Sequence, residues 1–145
     1  MCPPAKVVYS SMAEYRKHFE DTYCNGPVYT FDGIPVRFRK LDFDHCMYES
    51  SKRDDNKDLF SKDRCERIDW IKATLENDKA DLYQGWDKKK KRADKTRRVA
   101  VVYEEYVVVI KVRENLAGDY EGEFGTAYLA DSSISKIRGM PRWSK

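Results

Sequence analysis

Hydrophobic and polar positions alternate with two different periods along this chain. The first half reads as helical. Ser11-Met12-Ala13-Glu14 has the form of a capping box, with the serine placed to take the third amide of a helix and the glutamate to fold back on the first. A helix over 12–23 follows, stopped by Asn25-Gly26-Pro27. Val28–Phe31 and Ile34–Phe38 flank Asp32-Gly33, a turn signal between two short strands. Phe43, Cys46 and Met47 recur at helical spacing and predict a short helix over 42–50. Residues 51–62 are polar and read as a loop. Asp63 then caps a second box with Glu66, and Cys65, Ile68, Ile71 and Leu75 form the apolar stripe of a helix ended by Asn77-Asp78.

From residue 81 the period becomes strand-like. Residues 81–86 predict a strand, and 88–98 a basic connection. Residues 98–103 and 106–113 are two β-branched runs joined by Glu104-Glu105, so they pair as a hairpin. Both are apolar on each face over part of their length, as in central strands covered on both sides. A glycine-containing loop over 115–122 leads to a last strand over 123–129, and a short helix or turn closes the chain near Gly139-Met140-Pro141. No internal repeat and no second core is visible. The pattern is that of one α+β unit, N-terminal helices packed on a roughly four-stranded antiparallel sheet. Residues 1–27 form an arm and helix, and 28–145 the main body of the same compact unit.

Composition narrows the class. A chain of 145 residues with 41% hydrophobic and 37% charged positions can bury one core, and its aliphatic and aromatic content excludes a disordered chain. Net charge is only +3, so any argument for a polyanionic partner rests on where charge sits. Cys2, Cys24, Cys46 and Cys65 form no CxxC pair and no apolar leader precedes them, which reads as free thiols in a reducing, cytoplasmic setting. A zinc site from Cys46, Cys65 and a histidine has no ligand spacing behind it. The apolar runs are too short to cross a bilayer, so no membrane partner is expected.

The densest chemical signal is Lys88-Lys89-Lys90-Lys91-Arg92-Ala93-Asp94-Lys95-Thr96-Arg97-Arg98, eight bases to one acid. Between two strands such a run makes a local positive field suited to phosphates, or a merely solvated loop. Of the two histidines, His18 reads as a surface residue. His45 lies off the Phe43/Cys46/Met47 stripe, with Glu49 four residues on to orient the imidazole as a general acid or base; a purely structural role is the competing reading. Arg64 and Arg67 lie one turn apart and could hold one phosphate, or pair with Asp63 or Glu66. Thr126 and Tyr128 share one face of the last strand, to bind a phosphate or to finish a core edge. No P-loop, GxGxxG, HExxH or GxSxG occurs. Chemistry at phosphate without a metal would use His, Arg, Lys, Thr and Tyr, the set found here.

Taken in order, these pieces resemble a known family. Ile34-Pro35-Val36-Arg37-Phe38, then Phe43 and His45, Phe60, and Arg64-Cys65-Glu66-Arg67-Ile68-Asp69-Trp70-Ile71 look like the front half of phage- and plasmid-borne nucleases of the barnase–EndoU–colicin–RelE type. The hairpin over 97–112 and Phe124-Gly125-Thr126-Ala127-Tyr128 look like the back half, and the resemblance spans about 28–131. It implies one or two helices on a four-stranded antiparallel sheet, and cleavage of RNA, often tRNA and often as a toxin, with no metal or other cofactor. It also implies an immunity or antitoxin protein as a partner. Residue by residue, it assigns catalysis to His45, to Arg64 or Arg67, and to Thr126 with Tyr128 beside it. RNA contacts would fall to Lys88, Lys89, Lys90, Lys91, Arg92, Lys95, Arg97 and Arg98. The competing functions are a non-catalytic nucleic-acid-binding accessory protein and an interaction protein whose basic loop meets an acidic partner.

Overall fold

The computed structural model describes residues 4–49, 59–87, 91–130 and 133–143, with the backbone alone described at residues 49, 59–60, 86–87 and 92–97. Ser11 caps α1 (Met12–Tyr23), its hydroxyl accepting from the Glu14 amide at 3.3 Å, while the Glu14 carboxylate accepts from the Ser10 and Ser11 hydroxyls. The short strands β1 (Val28–Tyr29) and β2 (Pro35–Arg37) pair antiparallel across the Asp32-Gly33 turn, where Gly33 has φ 87°. The helix expected over 42–50 is shorter: α2 covers Leu41–Met47, and the chain then enters β3 (Tyr48–Glu49). Part of the expected 51–62 loop is β4 (Leu59–Phe60), antiparallel to β3. Ser61, not Asp63, caps the next helix, its hydroxyl accepting from the Arg64 amide. That helix is also broken at Arg67 into α3 (Lys62–Glu66) and α4 (Ile68–Glu76).

The second half is a four-stranded antiparallel meander of β5 (Asp81–Asp87), β6 (Arg92–Tyr103), β7 (Tyr106–Glu114) and β8 (Tyr120–Leu129), followed by α5 (Ile134–Arg138). The expected four-stranded antiparallel sheet is corrected here. β2 adds parallel to β8, and the sheet is six-stranded and mixed in the order β1-β2-β8-β7-β6-β5. The basic connection expected over 88–98 is corrected as well, because 92–98 belong to β6. Gln84 faces Val99 but Gly85 faces Asp94, so the ribbon of 85–87 with 92–94 is offset from the main sheet. Lys88, Lys89 and Lys90 lie outside the described residues, as do the side chains of Arg92, Lys95 and Arg97.

Helices α1 to α4 cover one face of the sheet. Phe19, Tyr23, Phe43, Ile68, Ile71 and Leu75 pack there against Val36, Val99, Val101, Val108, Ile110 and Phe124. Burying each such side chain stabilises the fold by about 1.5–3 kcal/mol as an upper bound. The Tyr23 hydroxyl joins α1 to α4, donating to the Ile68 carbonyl at 2.6 Å and accepting from the Lys72 amide at 3.0 Å. A smaller core of Tyr83, Ala100, Val102, Val107 and Ala130 lies on the other face beneath α5.

The N-terminal arm is strapped down. The Val7 amide donates to the Glu66 carbonyl at 2.8 Å, and the Trp70 indole N–H to the Pro4 carbonyl at 2.7 Å. His18 is not the plain surface residue expected. It bridges the Tyr9 hydroxyl (2.9 Å) and the Asp69 carboxylate (2.7 Å) and is mostly buried. No helix among the described residues is long and apolar enough to cross a membrane.

Candidate functional site at the open edge of the last strand

The site forms where β8 outruns β2. The parallel pairing with β2 covers Gly122 and Glu123, and beyond it the outer edge of β8 is covered instead by α2. The Cys46 thiol donates to the Ala127 carbonyl at 3.5 Å, a weak cap on a backbone acceptor beyond the reach of β2.

Just before this edge, β8 carries a bulge. Val109 faces Thr126 while Ile110 faces Phe124, so Gly125 is the extra residue. A Cβ there would lie 2.9 Å from the Val109 carbonyl oxygen, which reserves the position for glycine. The extra residue flips the alternation. Phe124 points into the helix-side core, and without the bulge Thr126 would point there too. With it, Ala127 fills the helix-side core and Thr126 and Tyr128 turn to the second face, where Tyr128 packs beside the smaller core.

Arg64 reaches this corner from α3. Its Nη1 donates to the Cys46 carbonyl at 3.0 Å, and its guanidinium carbon lies 5.9 Å from the centre of the Tyr128 ring, within cation–π range. Burial pushes the Tyr128 phenol above its usual range, and the Arg64 charge pulls it partly back. The phenol therefore keeps its proton at neutral pH and can donate a hydrogen bond.

The structure does not bring all the sequence candidates to this point. Arg67 has partners other than those of Arg64. Its Nη1 donates to the Asp63 main-chain carbonyl at 3.0 Å, and its guanidinium lies over the Trp70 ring at 5.2 Å. The expected pairing of His45 with Glu49 along one helix face is corrected too, because α2 ends at Met47 and Glu49 stands in β3. His45 is on the exposed side of α2, opposite the buried Phe43 and Met47, and adjoins the Cys46 whose carbonyl anchors Arg64. Thr126 is half-buried and one strand step from Tyr128.

Sequence reading missed the anchoring carbonyl of Cys46, because a main-chain group leaves no signal in residue type. Cys46 and Cys65 are both fully buried, and burial pushes the Cys65 thiol up to about 12. Among the described residues, no three His, Cys, Asp or Glu side chains gather where they could hold a metal ion. Comparison with protein-family models, curated proteins and solved structures finds no match for this chain.

Proposed function

We propose that this chain is an endoribonuclease that cleaves RNA by transesterification at the corner formed by Arg64, Thr126 and Tyr128. One observation carries the reading: a guanidinium anchored on the Cys46 carbonyl lies against a protonated phenol, next to a threonine hydroxyl on the same strand face. A cation and two neutral donors are what a phosphate needs as it gains negative charge in a five-coordinate transition state.

In the proposed step, the ribose 2′-oxygen attacks the adjacent phosphorus and its proton passes to the exposed His45 imidazole, the general base. The bond from phosphorus to the 5′-oxygen breaks, and that oxygen takes the Tyr128 proton as it leaves. The products are a 2′,3′-cyclic phosphate and a free 5′-hydroxyl. Arg64 offsets the added charge, and Thr126 donates to a non-bridging oxygen. The ribonuclease family resemblance, the toxin setting, a tRNA target and an immunity partner belong to this same reading.

The test is incubation of the purified protein with total RNA in excess EDTA, followed by analysis of fragment ends. Discrete fragments ending in cyclic phosphate are expected, and their loss in His45→Ala and Arg64→Ala proteins. Cleavage by His45→Ala at the wild-type rate would remove the histidine from the mechanism. The exposed side of α2 that His45 occupies favours one other reading, a nucleic-acid-binding protein without catalysis. That reading predicts RNA retention and no fragments.

A further inference from the structure

We infer that the half of the sheet's second face left open by α5 is a track for single-stranded RNA, with Tyr29 stacking on a base and Arg37, Lys111 and Arg98 holding phosphates. The inference rests on the ribonuclease reading for its ligand and on strand register for its geometry. Arg98 faces Lys111, Lys111 faces Glu123, and Arg37 faces Glu123. These four residues therefore stand in one row across β6, β7, β8 and β2, and all four are exposed. Their neighbours Val99, Ile110, Phe124 and Val36 fill the helix-side core, so by alternation the row projects from the opposite face. At about 4.8 Å between strands the row is about 14 Å long, enough to accompany a few nucleotides.

The next row holds Arg113 facing Glu121, and Tyr29 facing Pro35 at the far edge. Arg113 is tied to Glu121 at 3.4 Å, which leaves Arg37, Lys111 and Arg98 opposed within their row by Glu123 alone among the described residues. Tyr29 is 56% exposed on the same face and presents its ring to solvent. On the other side of the charged row lie Ala100 and Val109, two residues from Arg98 and Lys111, and Thr126, three residues from Glu123 because Gly125 is the bulge. The track thus passes alongside Thr126 and the Arg64–Tyr128 corner. Ile134, Ile137 and Met140 cover the sheet beyond, so a strand has to cross on the open half.

Basic side chains beside an exposed ring suit an unpaired strand, whose bases can stack on the ring while its phosphates meet the row. A duplex keeps its base faces inside its own stack and cannot use the ring.

The probe is a short fluorescent 2′-O-methyl oligonucleotide, which binds but cannot be cut, titrated by anisotropy at several salt concentrations. Tyr29→Ala is expected to weaken binding by about 5- to 150-fold, the range for losing one stacked base, and Tyr29→Phe to restore it. Replacing Arg37 and Lys111 together by alanine should lower the log–log salt slope by about 1.4, or about 0.7 per lost phosphate contact. All three positions are exposed, and circular dichroism checks that the variants fold. Unchanged affinity in Tyr29→Ala with an unchanged slope in the double variant overturns the track, as does equal affinity for the same oligonucleotide annealed to its complement. The expected binding pattern in a protein that cuts no RNA keeps the track and removes the ribonuclease reading. Cleavage with unmoved affinities keeps the nuclease and removes the track.

Discussion

Adding one methyl group at Gly125 tests whether the bulge in β8 builds the site. A Cβ at this position would meet the Val109 carbonyl oxygen at 2.9 Å and its carbonyl carbon at 3.6 Å. Neither can retreat easily, because Val109 is held between Ala100 of β6 and Thr126 of β8. Overpacking of this kind costs about 1–3 kcal/mol. In a chain of 145 residues each kcal/mol lowers Tm by about 4 °C, so Gly125→Ala should melt about 4–12 °C below wild type. The strand has one escape, which is to lose the bulge. Thr126 would then swing to the helix side, and RNA cleavage would fall further than the stability loss explains. Gly26→Ala is the control, since a Cβ there has nothing within 4 Å and the residue does not have positive φ. Thermal unfolding by circular dichroism and cleavage of total RNA read the two effects. Unfolding of Gly125→Ala within about 1 °C of wild type would refute the reasoning.

Three further outcomes are expected. Thr126→Val should keep RNA affinity while lowering turnover by about 10- to 1,000-fold, on the order of losing one oxyanion donor; loss of affinity with turnover intact would move Thr126 from chemistry to binding. Tyr23→Phe should destabilise the protein by about 0.5–1.5 kcal/mol in a denaturant titration, because it removes the hydroxyl that donates to the buried Ile68 carbonyl and accepts from the Lys72 amide. Burial raises the Tyr23, Tyr106 and Tyr128 phenols above 10.0 and the Cys65 thiol from 9.0 to about 12, so the folded state holds these protons more tightly than the unfolded state. Their stabilisation is complete below pH 9 and is lost as pH climbs through 10 and beyond; an equal Tm at pH 8 and pH 11 would contradict it.

Local signals in the sequence reached the elements well where one residue type decides the outcome. The Ser11 cap and the Asn25-Gly26-Pro27 stop bound α1 at Met12 and Tyr23, and the β-branched runs marked β6 and β7 around the Glu104-Glu105 turn. The misreadings share one physical source, the context of a neighbour. Charge density made 92–98 read as a loop, yet these residues continue β6, with 92–94 paired to β5 and Arg98 to β7. The period-3.6 stripe through Cys65, Ile68, Ile71 and Leu75 is real and buried. It nonetheless spans two helices, because the stripe records burial and is blind to the break at Arg67. β2 was legible as a strand but not as a partner of β8, since a parallel pair distant in sequence has no local signature.

The candidate site shows the same division. Alternation alone placed Thr126 and Tyr128 on one face of a strand, and that relation holds on either side of a sheet. Which side they take is set by Gly125, whose place in the sequence is only a gap in an apolar run. The gap gains meaning once Val109 is seen pressed against it, since a close backbone approach excludes a Cβ and makes the bulge the cheaper arrangement. The same step separates the two arginines. The helix breaks at Arg67, whose guanidinium lies over Trp70 while that of Arg64 meets Tyr128. The proposed chemistry at this corner therefore depends on two backbone irregularities, one in β8 and one between α3 and α4. Substitutions that regularise either should disperse the site while leaving every candidate side chain in place.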